Sequence, residues 1–384
     1  MSPPLQSIAP KRLSDLFRAV LFIGVCHLAV TPALASTSSA GIRVQGPGVP
    51  PRLGFACCEH GIEQMQSLFD DPDVIDDLQE LHADVAISTL DFSVERAAVV
   101  RRLNQAGIPV IAWMMLSKEE GFYLNADNEP QAAARLAAFE KWSSDNGLTW
   151  AEVGLDIEPN FAELAPLKTH RSRLITTLLR RSVNSDRIAT ARQEYSGLIG
   201  QLQKRGYPVQ TYQMPYIPAE RSVHSTLLDR LLGTVDVRGD QEYLMLYTSV
   251  ARPVGAGMIW SIGPRAQAIA IGSTEGDSAA GSGVGPLNWD EFSRDLIVAS
   301  HFSHLIGVYD LEGCVRQGFL PRLKTFNWSQ SVTIPAEALQ KADRLHRVLQ
   351  LVLWIGDHLV YLIAILLLGI AWMAWRRRTR AVSR

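Results

Sequence analysis

Short apolar runs alternate with longer stretches in which apolar residues recur at helical spacing. The runs are Arg52–Cys57, Ala83–Phe92, Ile108–Leu116, Ala151–Glu158, Pro208–Tyr216, Glu242–Val250, Ala268–Ser273 and Leu305–Glu312. Each is rich in β-branched or aromatic residues and bounded by Gly, Pro or polar residues, the pattern of strands buried on both faces of a parallel sheet. Between them the helical segments carry stop and start signals. Asp71-Pro72 reads as a cap followed by Pro at the first helical position, Ser93 as a second cap, and Gly107, Gly147 and Gly206 as terminators. The crossover from Pro166 to Arg205 is long enough for two helices.

Eight strand-like runs with intervening helices predict a (β/α)₈ TIM-like barrel over residues 51–333. A doubly wound open sheet is the rival architecture, but neither G-x-G-x-x-G nor a P-loop is present.

The ends of the chain read differently. Lys11, Arg12 and Arg18 flank an apolar stretch, Ala19–Val30, that leads to the small-residue site Ala33-Leu34-Ala35. This pattern predicts a signal peptide over 1–35, followed by a linker over 36–50. At the other end Leu359–Trp375 holds no charge, Val348–Gly356 extends the apolar run upstream, and Arg376, Arg377 and Arg378 follow at once. The expectation is a connecting helix over 334–350, a transmembrane helix over 351–375 and a basic cytoplasmic tail over 376–384. The folded domain would then be an extracytoplasmic, single-pass membrane protein with the lipid bilayer as a partner. The formal net charge of −2 and scattered basic residues give no reason to expect nucleic acid.

Candidate chemistry concentrates in Gly154-Leu155-Asp156-Ile157-Glu158. Strand alternation puts Leu155 and Ile157 on the helical layer and turns Asp156 and Glu158 toward the barrel axis, at the strand end where barrel active sites are built. Crowded carboxyls at an apolar rim raise one another's pKa, and a carboxyl kept protonated serves as a general acid. The last run, Val308-Tyr309-Asp310-Leu311-Glu312, repeats the pattern, with Asp310 and Glu312 expected on one face and Tyr309 on the other. Two facing acidic pairs are the apparatus of glycoside hydrolysis. Trp113, Tyr123, Tyr212, Gln213, Tyr216 and Tyr247 are the candidate substrate-binding residues, with Phe122 and Trp260 as further stacking candidates. Glu59-His60 after the first run is a further candidate at the rim, against the reading of a solvated surface pair. Of the cysteines beyond the leader, Cys314 is expected to bridge Cys57 or Cys58, because the first and last strands of a closed barrel are neighbours; three free thiols are the alternative. No metal-ligand spacing and no cofactor motif appear.

These residues resemble glycoside hydrolase family 18, the chitinase-type family. GLDIE at 154–158 is similar to the second half of its D-x-x-D-x-D-x-E signature on strand four, and Met214-Pro215-Tyr216 and Met245-Leu246-Tyr247 are similar to its M-x-Y strand endings. The resemblance implies that Glu158 is the acid and Asp156 its helper. Ala151 and Gly154 stand where the signature has its first two Asp residues. The expected activity is hydrolysis of a polysaccharide or oligosaccharide by Glu158 with Glu312 or Asp310 as second carboxylate. The alternatives are a non-catalytic glycan-binding or scaffold barrel and a metal-dependent phosphodiesterase using Asp156, Glu158 and His60.

Overall fold

In a computed structural model, residues 41–160, 171–252, 254–275 and 285–382 are described; the signal peptide expected over 1–35 lies outside them. Along each barrel strand the side chains divide cleanly by parity. Leu53, Phe55, Val85, Ile87, Val153, Leu155, Ile269, Ile271, Ile306 and Val308 join one apolar layer between sheet and helices. Their alternates point to the axis, where Ala86, Ile111 and Trp113 pack together, as do Tyr243, Met245, Ala268 and Ala270. Period-2 alternation with both faces covered is what a closed parallel sheet requires.

The strands are β2 (Arg52–Cys57), β3 (Asp84–Ser88), β4 (Val110–Met114), β5 (Glu152–Asp156), β6 (Val209–Gln213), β7 (Gln241–Met245), β8 (Ala268–Gly272) and β9 (Leu305–Tyr309). They close into an eight-stranded parallel barrel in chain order, β9 pairing with β2 from Arg52↔Leu305 to Ala56↔Tyr309. All eight predicted runs are strands of this barrel. Caps set the helices where the sequence puts them: Asp71 accepts from the Asp73 amide at 3.1 Å and Ser93 from the Arg96 amide at 3.2 Å. The long crossover holds two helices, Arg171–Ser182 and Ser185–Lys204.

Outside the barrel, β1 (Ile42–Gln45) pairs antiparallel with β10 (Ser331–Ile334), tying the segment before the barrel to the segment after it. At the N-terminal end of the barrel Arg52 Nε lies 2.6 Å from Asp84 and its guanidinium 3.7 Å from Glu152, a polar layer closing the floor.

The C-terminal region departs from expectation. A single helix, Ala336–Val382, replaces the connecting helix and span. Among the described residues, no helix is long and apolar enough to cross a membrane. This overturns the single-pass anchor and, with it, the lipid bilayer as a partner through a C-terminal span. The physical reason is that much of the first half of this helix packs on the barrel. Ala338, Ala342 and Leu353 are buried, Gln350 Nε2 donates to Ser222 Oγ at 2.8 Å, and Asp357 pairs with Arg230. Leu353 and Asp357, read from sequence as part of the span or its edge, are thus committed to the domain. Side chains of much of 359–382 are outside the described set.

Candidate active site

Asp156 closes β5 and Glu158 follows two residues later, both facing the axis because Leu155 and Ile157 are held in the outer layer. The loop from Gly121 to Asn125 extends the sheet here: the Leu124 amide donates to Asp156 O at 3.1 Å and the Glu158 amide to Leu124 O at 3.0 Å. Both carboxyls are buried, 3% and 5% exposed. Trp113 Nε1 donates to Asp156 Oδ2 at 3.2 Å, while Asp156 Oδ1 and Glu158 Oε2 have no hydrogen-bond partner among the described residues.

The third member of this group is Glu59, just beyond β2. Tyr309 Oη donates to its Oε2 at 2.5 Å and Tyr123 Oη to its Oε1 at 3.0 Å. Tyr309 stacks on Tyr247 with ring centroids 5.5 Å apart and meets Trp113 edge to face at 6.4 Å. The mouth is therefore three carboxyls set in a frame of Trp113, Tyr123, Tyr247 and Tyr309.

Burial dominates the electrostatics, because removing a carboxylate from water disfavours its charged form. It pushes Asp156 up to about 8, with the Glu59 charge adding and the Trp113 hydrogen bond opposing. Glu158 rises well above the usual carboxylate range through burial first, then the neighbouring Asp156 and Glu59. Burial raises Glu59 too, but the Tyr309 and Tyr123 hydroxyls pull it back by stabilising the anion. The same three carboxyls thus hold one strongly protonated member and one whose ionised form is solvated by two donors, the separation that acid–base work needs.

Asp310 and Glu312 do not form the second strand-end pair expected of them. β9 ends at Tyr309, whose ring faces the axis rather than the helices. Asp310 is the N-cap of the helix Leu311–Arg316, accepting from the Gly313 amide at 2.7 Å, and its amide donates to Thr274 Oγ1 at 3.0 Å. Glu312 lies inside that helix and accepts from the Cys58 amide at 2.7 Å. Burial raises both carboxyls, Glu312 to about 7.

The other expectations divide in the same way. Tyr212 lies deeper in the barrel, stacked on Tyr243 and donating to Gln210 at 2.7 Å. Gln213 shares the outer parity of Val209 and its Nε2 donates to Val237 O at 2.9 Å, and the Tyr216 hydroxyl bonds Thr234 at 2.7 Å, so both side chains are turned into the fold. Phe122 packs on Tyr123, and Trp260 lies on the helix Gly255–Ile262, stacked on His301 and edge to face with Phe302, away from the barrel axis.

Cys314 does not reach the first strand. It is buried and reduced, its sulfur 3.6 Å from Thr274 Oγ1, because the Asp310 cap turns the chain into a helix before that position. Cys57 and Cys58 instead form a disulfide with each other. His60 pairs with Glu275 at 3.0 Å and is pushed up to about 9 by that contact, so its ring is protonated and unsuited to hold a metal. Among the described residues no three His, Cys, Asp or Glu side chains are grouped to hold an ion.

Sequence reasoning set Glu59 behind a solvated-pair reading and put Tyr309 on the outer face. The signal for Glu59 was its place at the C-terminal rim of the first strand.

No protein-family profile and no curated relative matches the chain. Among solved structures it is similar to the PgaB (BpsB) glycoside hydrolase domain from Bordetella bronchiseptica, at 10% identity over 72% of this chain and 98% of that one, with a TM-score of 0.43. It is similar to a putative alpha-L-fucosidase from Bacteroides thetaiotaomicron at 7% identity over 81% and 99%, TM-score 0.42. The 3-keto-D-glucoside 4-epimerase YcjR from E. coli matches at 11% identity over 77% and 99%, TM-score 0.38.

Proposed function

We propose that the chain is a glycoside hydrolase acting on a polysaccharide at the C-terminal mouth of its barrel. The observation that carries this reading is the trio of Glu158, Asp156 and Glu59 in one aromatic-framed, water-poor rim. Glu158, protonated at neutral pH, donates its proton to the glycosidic oxygen as the bond to the leaving sugar breaks. Asp156, held by Trp113, is itself pushed up to about 8, and as it ionises its charge keeps the Glu158 proton in place. Glu59, replacing Glu312 and Asp310 in this role, is the second carboxylate, acting on the anomeric carbon directly or through a water. Trp113, Tyr123 and Tyr247 supply ring faces and hydroxyls for the sugar.

A second reading is a glycan-binding barrel without turnover. It is favoured by Gly154, which occupies a position the chitinase-type signature fills with Asp: a Cβ there would lie 3.0 Å from Cε2 of Tyr212. The deciding experiment is product release from a panel of polysaccharides. Glu158→Gln should lower turnover by about 10²–10⁴-fold while thermal unfolding stays unchanged. Undiminished release by that variant would remove the assignment, and saccharide binding without release by the native chain would establish the second reading.

A further inference from the structure

Glu59 follows directly on two bonded cysteines, and the geometry of that junction goes beyond the acid–base reading on which this inference rests. Cys57 ends β2, and Cys58 has left the strand with a φ of 79°. For a side chain with a Cβ this left-handed conformation is unfavourable, so something must hold it. Three contacts do. The disulfide to Cys57 closes a small covalent ring across the peptide between the two residues. The Cys58 amide donates to Glu312 Oε1 at 2.7 Å, and the Cys58 carbonyl accepts from the buried Ser88 hydroxyl. Both cysteines are buried, 1% and 2% exposed, beneath the rim rather than on it.

We propose that the Cys57–Cys58 disulfide is the positioning element of the Glu59 carboxylate, fixing the turn that delivers this side chain to Tyr123 and Tyr309. The chain direction after Cys58 depends on its φ. A return from 79° to the ordinary negative range swings the following residue away from the strand's line by more than a right angle. The ring removes that freedom, while the two hydrogen bonds orient the peptide within it. Opening the ring leaves the hydrogen bonds alone to oppose the relaxation. Glu59 then loses its two hydroxyl donors and moves toward water. Glu158, carried by β5 and the Leu124 loop, stays in place.

The test uses the full chain with the pair closed, opened and replaced. A dithiol in excess opens it by exchange: one thiolate attacks a sulfur of the pair, the second resolves the mixed disulfide, two electrons and two protons remain on Cys57 and Cys58, and the reagent leaves as a cyclic disulfide. Peptide mass confirms the opening. After removal of the reagent, carboxyl labelling by a carbodiimide with an amine reports accessibility without reference to activity. Glu59 labelling is expected to rise several-fold on opening and in Cys57→Ala/Cys58→Ala. The rise should be smaller in Cys57→Ala/Cys58→Gly, since glycine accepts positive φ. Glu158 labelling should not change. Where a polysaccharide is turned over, opening lowers kcat by about 100-fold with KM little altered, and lowers it no further in a Glu59→Gln background. Unchanged Glu59 labelling in a verified open pair overturns the proposal, as does recovery of Cys57 and Cys58 as free thiols from the purified chain. A labelling response in a chain that releases no product supports the positioning role and removes the hydrolase reading.

Discussion

Asp156 and Glu158 share a buried rim, and their protons link stability to pH. A carboxyl whose folded pKa is raised keeps its proton where the unfolded chain has lost it. Its stabilising contribution is therefore complete below the unfolded value near 4 and is lost as pH rises through the folded value. For Asp156 that window runs from about 4 to about 8. Thermal unfolding of the native chain should fall in midpoint from pH 5 to pH 9, and Asp156→Asn should flatten the fall; an equally steep loss in the variant would contradict the assignment. Burial raises Asp229, Asp295 and Glu312 as well, so part of the slope survives. The same substitution removes a negative neighbour of Glu158, so the alkaline limb of kcat/KM should move to lower pH. Asp156 and Glu158 were legible in sequence because Leu155 and Ile157, both apolar, fix the strand's parity. Glu59 was not, because alternation stops at a residue with positive φ: beyond Cys58 the spacing no longer says where a side chain points.

At the scale of elements, local capping overrode alternation. The run ending Tyr309-Asp310-Leu311-Glu312 alternates as a strand should, yet Asp310 three residues before Gly313 is also a cap, and the cap wins. The consequence is that Tyr309 turns inward to Glu59 while Glu312 turns to the Cys58 amide. The small ribbon of β1 and β10 left almost no trace in the pattern, since its strands are four residues long and bury only Val44 and Ile334 fully. Packing of the C-terminal helix is testable at this scale. An added Cβ at Gly257 would lie 2.4 Å from Ala338 O, a backbone atom that cannot yield without moving the helix. Gly257→Ala should cost about 1–3 kcal/mol and expose 336–358 to amide exchange; native-like protection of that segment would contradict the packing.

For the whole molecule, barrel closure brings β2 and β9 together, so residues far apart in the chain, Glu59 and Tyr309, meet beside the Trp113 ring of β4. The barrel itself was readable because each of its eight strands is buried on two faces and so appears as a compact apolar run. At the C-terminal helix the contacts that hold its first part to the barrel are long-range and leave no mark in the local pattern. Arg230 and Leu227, which receive Asp357 and Gly356, lie over a hundred residues away. The proposed reacting pair is Glu158 and Glu59, flanking one mouth. It is tested most directly by product release from a responsive polysaccharide with Glu59→Gln and Glu312→Gln side by side. Glu59→Gln should lose about 100-fold or more in kcat, while Glu312→Gln, which keeps an acceptor for the Cys58 amide, should stay near the native rate. Retained turnover in Glu59→Gln together with its loss in Glu312→Gln would contradict it.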